Sequence, residues 1–204
     1  YLEIERYDRR VVADAQVERI HQEDFCQVLG YLERSKYQKD RGPSIRDVYN
    51  AILEYSSAPA TDAYRFVELV MFNYLIGNTD AHAKNFSILH EDYGKNITLA
   101  PAYDLISVEA YPETTVDHET AMVINGKAKY DAITKKDWLA LYEQLGLNPA
   151  RVLQTLRDRL SGVLGAAKTL RDELNADALT KSDIYDKIVD VIEKRYLAII
   201  ANDK

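Results

Sequence analysis

The sequence predicts an α+β fold in which helices dominate, and three observations carry that expectation. An almost unbroken apolar run from Tyr64 to Ile76 demands a helix buried on nearly every side, because it offers water no polar face. Two short strand-like runs, Phe86-Ser87-Ile88-Leu89 and Ile97-Thr98-Leu99-Ala100, flank the turn cluster Asp92-Tyr93-Gly94-Lys95 and describe a small β-hairpin. Beyond residue 134, helix-start signals introduce apolar stripes at helical spacing.

The elements follow in order. Leu2 and Ile4 alternate with Glu3 and Glu5, the pattern of a half-buried strand, which Asp8-Arg9-Arg10 ends. Residues 22–32 read as a short helix. After Gly42-Pro43, Ser44 opens a capping box with Asp47 at the third helical position, and the helix runs to about Tyr55. Thr61 is the expected cap of the apolar helix, and Gly77 stops it, so the loop 78–85 leaves a rigid buried element. Thr134 and Asp137 repeat the capping box ahead of Trp138, Leu139, Leu141 and Tyr142. Asn148-Pro149 starts a long helix to about residue 174, whose Val152, Leu153, Leu156, Leu160, Val163 and Leu164 form a packing stripe. A last helix from about Ser182 carries Ile184, Ile188, Val191, Ile192, Tyr196 and Ile199 on one face.

Composition narrows the function. With 204 residues and 47% apolar content the chain can bury a sizeable core as one domain. Its formal charge of −7 argues against direct, sequence-independent DNA binding, which needs a clustered basic face. Cys26 is the single cysteine, which excludes an internal disulfide and fits a reducing cytoplasm. Phe66–Ile76 falls well short of the roughly 20 residues a membrane span requires. The chain opens on Tyr1 and enters a strand pattern at once, which predicts that this is not a natural N-terminus.

The chemistry is concentrated in Gly77-Asn78-Thr79-Asp80-Ala81-His82-Ala83-Lys84-Asn85, followed by Pro101-Ala102-Tyr103-Asp104. Phosphoryl transfer works mainly by positioning and charge neutralisation, so it needs a carboxylate facing the acceptor hydroxyl and oxygen ligands for Mg²⁺ on the nucleotide. Asp80 suits the first post, as the group that orients the hydroxyl and takes its proton; Asn85 and Asp104 suit the metal posts. Asp80 and Asn85 repeat the interval between catalytic-loop Asp and metal-binding Asn in eukaryotic-type protein kinases. The hairpin brings its own ends together, so Asn85, just before it, and Asp104, just after it, can converge on one ion. Read alone, Asp80 would serve equally as a loop cap. His82 invites a zinc reading, but His21, His82, His90 and His118 lack i,i+4 or paired-Cys spacing, and zinc is set aside.

These blocks, with Ile4-Glu5-Arg6-Tyr7-Asp8-Arg9-Arg10, His21-Gln22-Glu23-Asp24-Phe25-Cys26-Gln27 and Leu99-Ala100-Pro101-Ala102-Tyr103-Asp104, resemble the HipA-like bacterial serine/threonine kinases, known as toxins of toxin–antitoxin pairs. The resemblance is clearest over residues 1–112. It departs from ordinary kinases in that His82 follows Asp80, and Asp104-Leu105-Ile106 replaces an Asp-Phe-Gly triplet. It implies a protein-kinase-like C-lobe whose hairpin carries the catalytic and metal residues, with residues 1–10 as the hinge strand and 11–204 as the helical lobe. The phosphate-binding N-lobe would lie outside this chain, leaving the fragment alone inactive. The resemblance further implies ATP and Mg²⁺ as cofactors, Glu5, Arg6 and Tyr7 at the adenine hinge, His82 and Lys84 near the phosphates, and Tyr103 in the nucleotide pocket. Asp24 and Gln27 recur in the family pattern, as caps or as ligand contacts. Implied partners are a helix-turn-helix antitoxin, through which DNA is reached only indirectly, and a cytoplasmic protein substrate such as an aminoacyl-tRNA synthetase, whose phosphorylation arrests growth. Two other readings stand beside it: a non-catalytic or separated lobe that binds the antitoxin, and a small-molecule kinase.

Overall fold

A computed structural model describes residues 4–12 and 16–200; in the long helix of residues 149–176 it describes the backbone alone at Arg151, Thr155, Leu156 and Arg159. The chain is a mixture of helix and sheet divided into two compact units. The first comprises the chain up to Val67 together with His82–Asp104, and the second comprises Glu68–Ala81 with the chain from Leu105 onward.

The first unit opens differently from the sequence expectation. Leu2 and Glu3 lie outside the described residues, and Ile4 and Glu5 are exposed and belong to no strand. Arg6 closes on the buried Asp8 through two bonds of 2.7 and 2.6 Å, with Arg9 on the same carboxylate, and this clamp turns the chain at Tyr7–Asp8. The strand therefore follows Asp8: β1 (Arg9–Val11) pairs antiparallel with β2 (Val17–Arg19).

The expected hairpin is present as β4 (Ser87–Glu91) and β5 (Asn96–Leu99), turning through Asp92, Tyr93 and Gly94, all at positive φ. It gains a third strand, β3 (His21–Asp24), paired with β4 in the register His21↔His90 to Asp24↔Ser87. The helix expected over 22–32 shrinks accordingly to α1 (Phe25–Val28), because Asp24 caps it in a reciprocal box with Gln27 and gives Gln22 and Glu23 to the sheet. Capping is thus the role the structure gives Asp24 and Gln27.

Helix α2 (Ile45–Tyr55) starts at its Ser44/Asp47 box as expected. Helix α3 (Pro59–Leu75) starts earlier than Thr61, on Pro59, whose missing N–H is no loss in the first turn. Its first turn also holds Asp62, fully buried, which accepts from Ser56 Oγ at 2.7 Å and from the Leu99 N–H at 2.8 Å. That carboxylate joins the end of α2 to the end of β5. In the core of this unit Phe66 packs ring against ring with Phe25 and with Phe86, at centroid distances of 6.5 and 5.1 Å.

In the second unit, α3 continues to Leu75 with Val70, Met71, Tyr74 and Leu75 buried. Gly77 ends it at φ +69, where a Cβ would stand 2.7 Å from Val191 Cγ1 and 2.9 Å from Glu109 Cβ. Gly77→Ala therefore adds a left-handed backbone penalty to an overpacked contact, an expected loss of about 2–4 kcal/mol read by urea denaturation.

A hairpin absent from the sequence expectation follows, β6 (Glu119–Ile124) with β7 (Lys127–Lys129), joined by Asn125-Gly126 with both residues at positive φ. Helix α4 (Lys135–Gln144) begins at the Thr134/Asp137 box and buries Trp138, Leu141 and Tyr142. Then come α5 (Pro149–Ala176) and α6 (Ile184–Ile200), close to their expected bounds. In α5 Val152, Leu153 and Leu160 are buried, while the Leu156 side chain lies outside the described residues.

Asp137 gives the fold a pH dependence. Burial opposes its charge, but Lys127 at 2.8 Å, the Thr134 N–H at 2.8 Å and the Asn125 amide at 3.0 Å outweigh it and hold the carboxyl below the usual range. A carboxylate depressed in the folded state stabilises the fold above the unfolded pKa of about 4 and loses that contribution as pH falls below it. Unfolding midpoints in urea are expected to drop progressively as pH falls below about 5, and Asp137→Asn to flatten that slope.

Candidate functional site

The expected site residues fall in both units. Asp80 belongs to the loop that leaves α3 in the second unit, and that loop is held from several directions. Asn78 Nδ2 donates to Asn73 Oδ1 at 2.7 Å, and Tyr130 Oη donates to the Asn78 carbonyl at 2.9 Å. Thr79 Oγ1 donates to the Asp117 carbonyl at 2.8 Å, and the Thr79 carbonyl accepts from the Ala121 N–H at 2.9 Å. Asn78, Thr79 and Ala81 are buried, whereas Asp80 is half-buried. The sequence therefore placed Asp80 beyond a rigid helix correctly, and missed that Tyr130, Asp117 and Ala121 supply the anchors.

In the first unit, Ala83–Asn85 form a single tight turn ahead of β4. Buried Asn85 is fixed at both ends of its amide: Oδ1 accepts the His82 N–H at 3.3 Å, and Nδ2 donates to Asp104 Oδ2. The two ends of the hairpin thus meet as its geometry requires. Asp104 is exposed and sits at φ +54, a left-handed conformation that Asp tolerates better than most side chains.

Tyr103 braces this pair. Its hydroxyl donates to the Lys84 carbonyl at 2.6 Å and shares a hydrogen bond with Ser87 Oγ, which Gln22 Nε2 also reaches at 3.0 Å. Burial pushes the Tyr103 hydroxyl well above its ordinary pKa, so it remains a neutral donor. Tyr7 lies beside it with ring centroids 6.4 Å apart, while Glu5 and Arg6 are exposed and Arg6 is spent on Asp8. The Tyr103 side chain therefore acts as a strut between the turn at Lys84 and β4.

His82 and Lys84 line an open cleft of about 650 Å³ together with Leu32, Glu33, Arg34 and Lys36. Three cationic side chains against one acid make this cleft suited to an anionic ligand. Tyr37 packs edge-on to the His82 ring at 5.3 Å, and Lys36 Nζ lies 4.9 Å from the Tyr37 ring centre. Arg34 and Lys36 carried no readable signal, since two isolated cations in a loop look like solvated surface.

Asn85 and Asp104 supply an amide and a carboxylate, the hard-oxygen donor set that suits Mg²⁺ with waters and phosphates completing its shell.

Comparison with known proteins identifies the family. The model of the HipA-like C-terminal domain matches residues 1–166. The chain belongs to that family. Among curated relatives, Y4mE of Sinorhizobium fredii, whose name marks kinase activity as conjectured, is 37% identical over 173 residues, covering 84% of this chain and 40% of that protein. The serine/threonine-protein kinase toxin HipA of Shewanella oneidensis is 30% identical over 155 residues, covering 71% of this chain and 35% of its own length. The HipA-like chain thus spans less than half the length of these relatives. A solved complex of Shewanella oneidensis HipA, HipB and operator DNA contains a chain that matches with a TM-score of 0.83 at 24% identity, covering 95% of this chain and 47% of that one, which shows a shared fold. Among the described residues, no helix is long and apolar enough to cross a membrane.

Proposed function

We propose that this chain is the protein-kinase-like C-lobe of an ATP- and Mg²⁺-dependent serine/threonine protein kinase of HipA type. The observation that carries the reading is the Asn85–Asp104 hydrogen bond, which joins residues 19 apart in sequence at the mouth of a hairpin. Asn85 and Asp104 would hold Mg²⁺. When bound, the ion neutralises charge on the nucleotide phosphates. Asp80 orients the acceptor hydroxyl and takes its proton, a role that rests on its five-residue interval to Asn85 and on membership of the family.

His82 and Lys84, with Arg34 and Lys36 in the same cleft, receive the phosphates. Glu5, Arg6 and Tyr7 offer main-chain groups to adenine, and Tyr103 shapes the pocket beside Asp104. The completed protein, with its N-lobe, acts in the cytoplasm on a protein such as an aminoacyl-tRNA synthetase, arrests growth, and is neutralised by a HipB-like helix-turn-helix antitoxin that alone contacts DNA. The kinase and toxin terms in a relative's name, and the presence of HipB and operator DNA beside the structural neighbour, support this assignment.

The test is to incubate the full-length protein with ATP, Mg²⁺ and bacterial lysate, then to search by mass spectrometry for phosphoserine and phosphothreonine. Protein phosphate present with wild type and absent with Asp80→Asn supports the assignment. Phosphate on metabolites alone replaces it with a small-molecule kinase, and no phosphate with tight antitoxin binding replaces it with a separated binding lobe.

A further inference from the structure

Two of the histidines set aside on spacing are register partners in the sheet. His21 on β3 stands opposite His90 on β4, so both side chains leave the same face. Glu23, two residues along β3, shares that face because strand side chains alternate. The rings of His21 and His90 have centroids 5.2 Å apart, and His90 Nε2 lies 2.6 Å from Glu23 Oε2. One ligand atom from each of the three residues falls within 4.8 Å of the other two.

We propose that His21, Glu23 and His90 bind a single transition-metal ion of the Zn²⁺ class, a site that the kinase chemistry does not use. Two imidazole nitrogens and one carboxylate oxygen form a donor set that Zn²⁺ accepts with a fourth position left open, whereas Mg²⁺ and Ca²⁺ favour oxygen throughout. Room for the fourth ligand exists: His21 and His90 line a cleft of about 340 Å³ with Glu18, Glu91 and Asp92. Arg10 and Arg19 also border it, and Arg10 is engaged by Glu18 at 2.8 Å. The metal signal was illegible in sequence because the spacing that makes a ligand pair on a helix differs from the one that makes it across two strands. His21 and His90 are sixty-nine positions apart in the chain and adjacent only through strand pairing.

Bound metal ties the edge strand β3 to β4, so it is expected to stabilise the sheet as well as to occupy the site. The experiment strips the full-length protein with a chelator, then titrates it with Zn²⁺ by calorimetry and with Co²⁺ by visible absorbance. One equivalent of metal, a Co²⁺ spectrum with nitrogen ligation and a higher Tm with Zn²⁺ are expected. His21→Ala and Glu23→Gln are each expected to weaken binding about tenfold or more, since even the loss of groups that only orient metal ligands costs that much. His118→Ala leaves binding unchanged. Circular dichroism confirms that each variant is folded; His21 is exposed, so its truncation leaves the core intact. The proposal is overturned if wild type takes up no metal at submillimolar Zn²⁺, or if folded His21→Ala and Glu23→Gln bind as wild type does. In the second case His90 and Glu23 form a side-chain contact across the strands and nothing more.

Discussion

Asp80→Asn in the full-length protein is expected to lower phosphate transfer to protein by roughly 10²–10⁴-fold, the usual worth of a positioned general base, while leaving the protein folded. The substitution keeps the size of the side chain and removes its charge and basicity. Its loop is held by the Asn78 and Thr79 side chains, the Tyr130 hydroxyl and the main chain of Gly77, Thr79, Ala121 and Glu109. A quantitative assay of phosphopeptide formation at saturating ATP gives the rate, and differential scanning fluorimetry gives the stability. Activity within a factor of two of wild type would remove Asp80 from the reaction.

The largest expected loss of stability is at Arg195. Its side chain is almost fully buried, 2% exposed, and its Nε donates to Glu109 Oε2 at 2.8 Å, with a second bond to the other carboxylate oxygen. Nη1 also reaches Asp131 at 2.7 Å, and the guanidinium lies over the rings of Tyr130 and Tyr74 at 5.3 and 5.6 Å. Truncation leaves the Glu109 carboxylate buried without its partner, and breaking a buried pair from one side costs about 3–5 kcal/mol. Arg195→Ala is thus expected to lower the urea midpoint sharply, and the added change Glu109→Gln to restore part of the loss. A double variant no better than the single one would show that packing on the two tyrosines, and not charge, sets the effect.

Much of the local structure was legible. The Ser44 and Thr134 boxes start helices where the residues say, because a cap is satisfied within its own first turn. Gly77 ends the apolar helix for a similarly local reason, its positive φ. The meeting of Asn85 with Asp104 was also readable, since a tight turn determines which residues its strands bring together. Asn125-Gly126 carries a turn signal of the same local kind; both residues take the positive φ that a two-residue hairpin turn demands.

The misplaced first strand, the third strand of the sheet and the shortened helix after Asp24 have a different origin. Segments of three or four polar residues have no periodicity strong enough to choose a state, and β3 is a strand because β4 is there to pair with it. Arg195 and Glu109, 86 positions apart, and the cation-lined cleft of Arg34, Lys36 and Lys84 likewise exist only once distant segments pack. The helix starts at Ser44 and Thr134 and the hairpin of β4 and β5 could be read from the chain alone, because capping, turn chemistry and apolar periodicity act within a few residues. The tertiary structure alone decided which buried charges pair, which loops anchor Asp80 and which histidines become neighbours, because those contacts depend on strand register and core packing that no local stretch encodes.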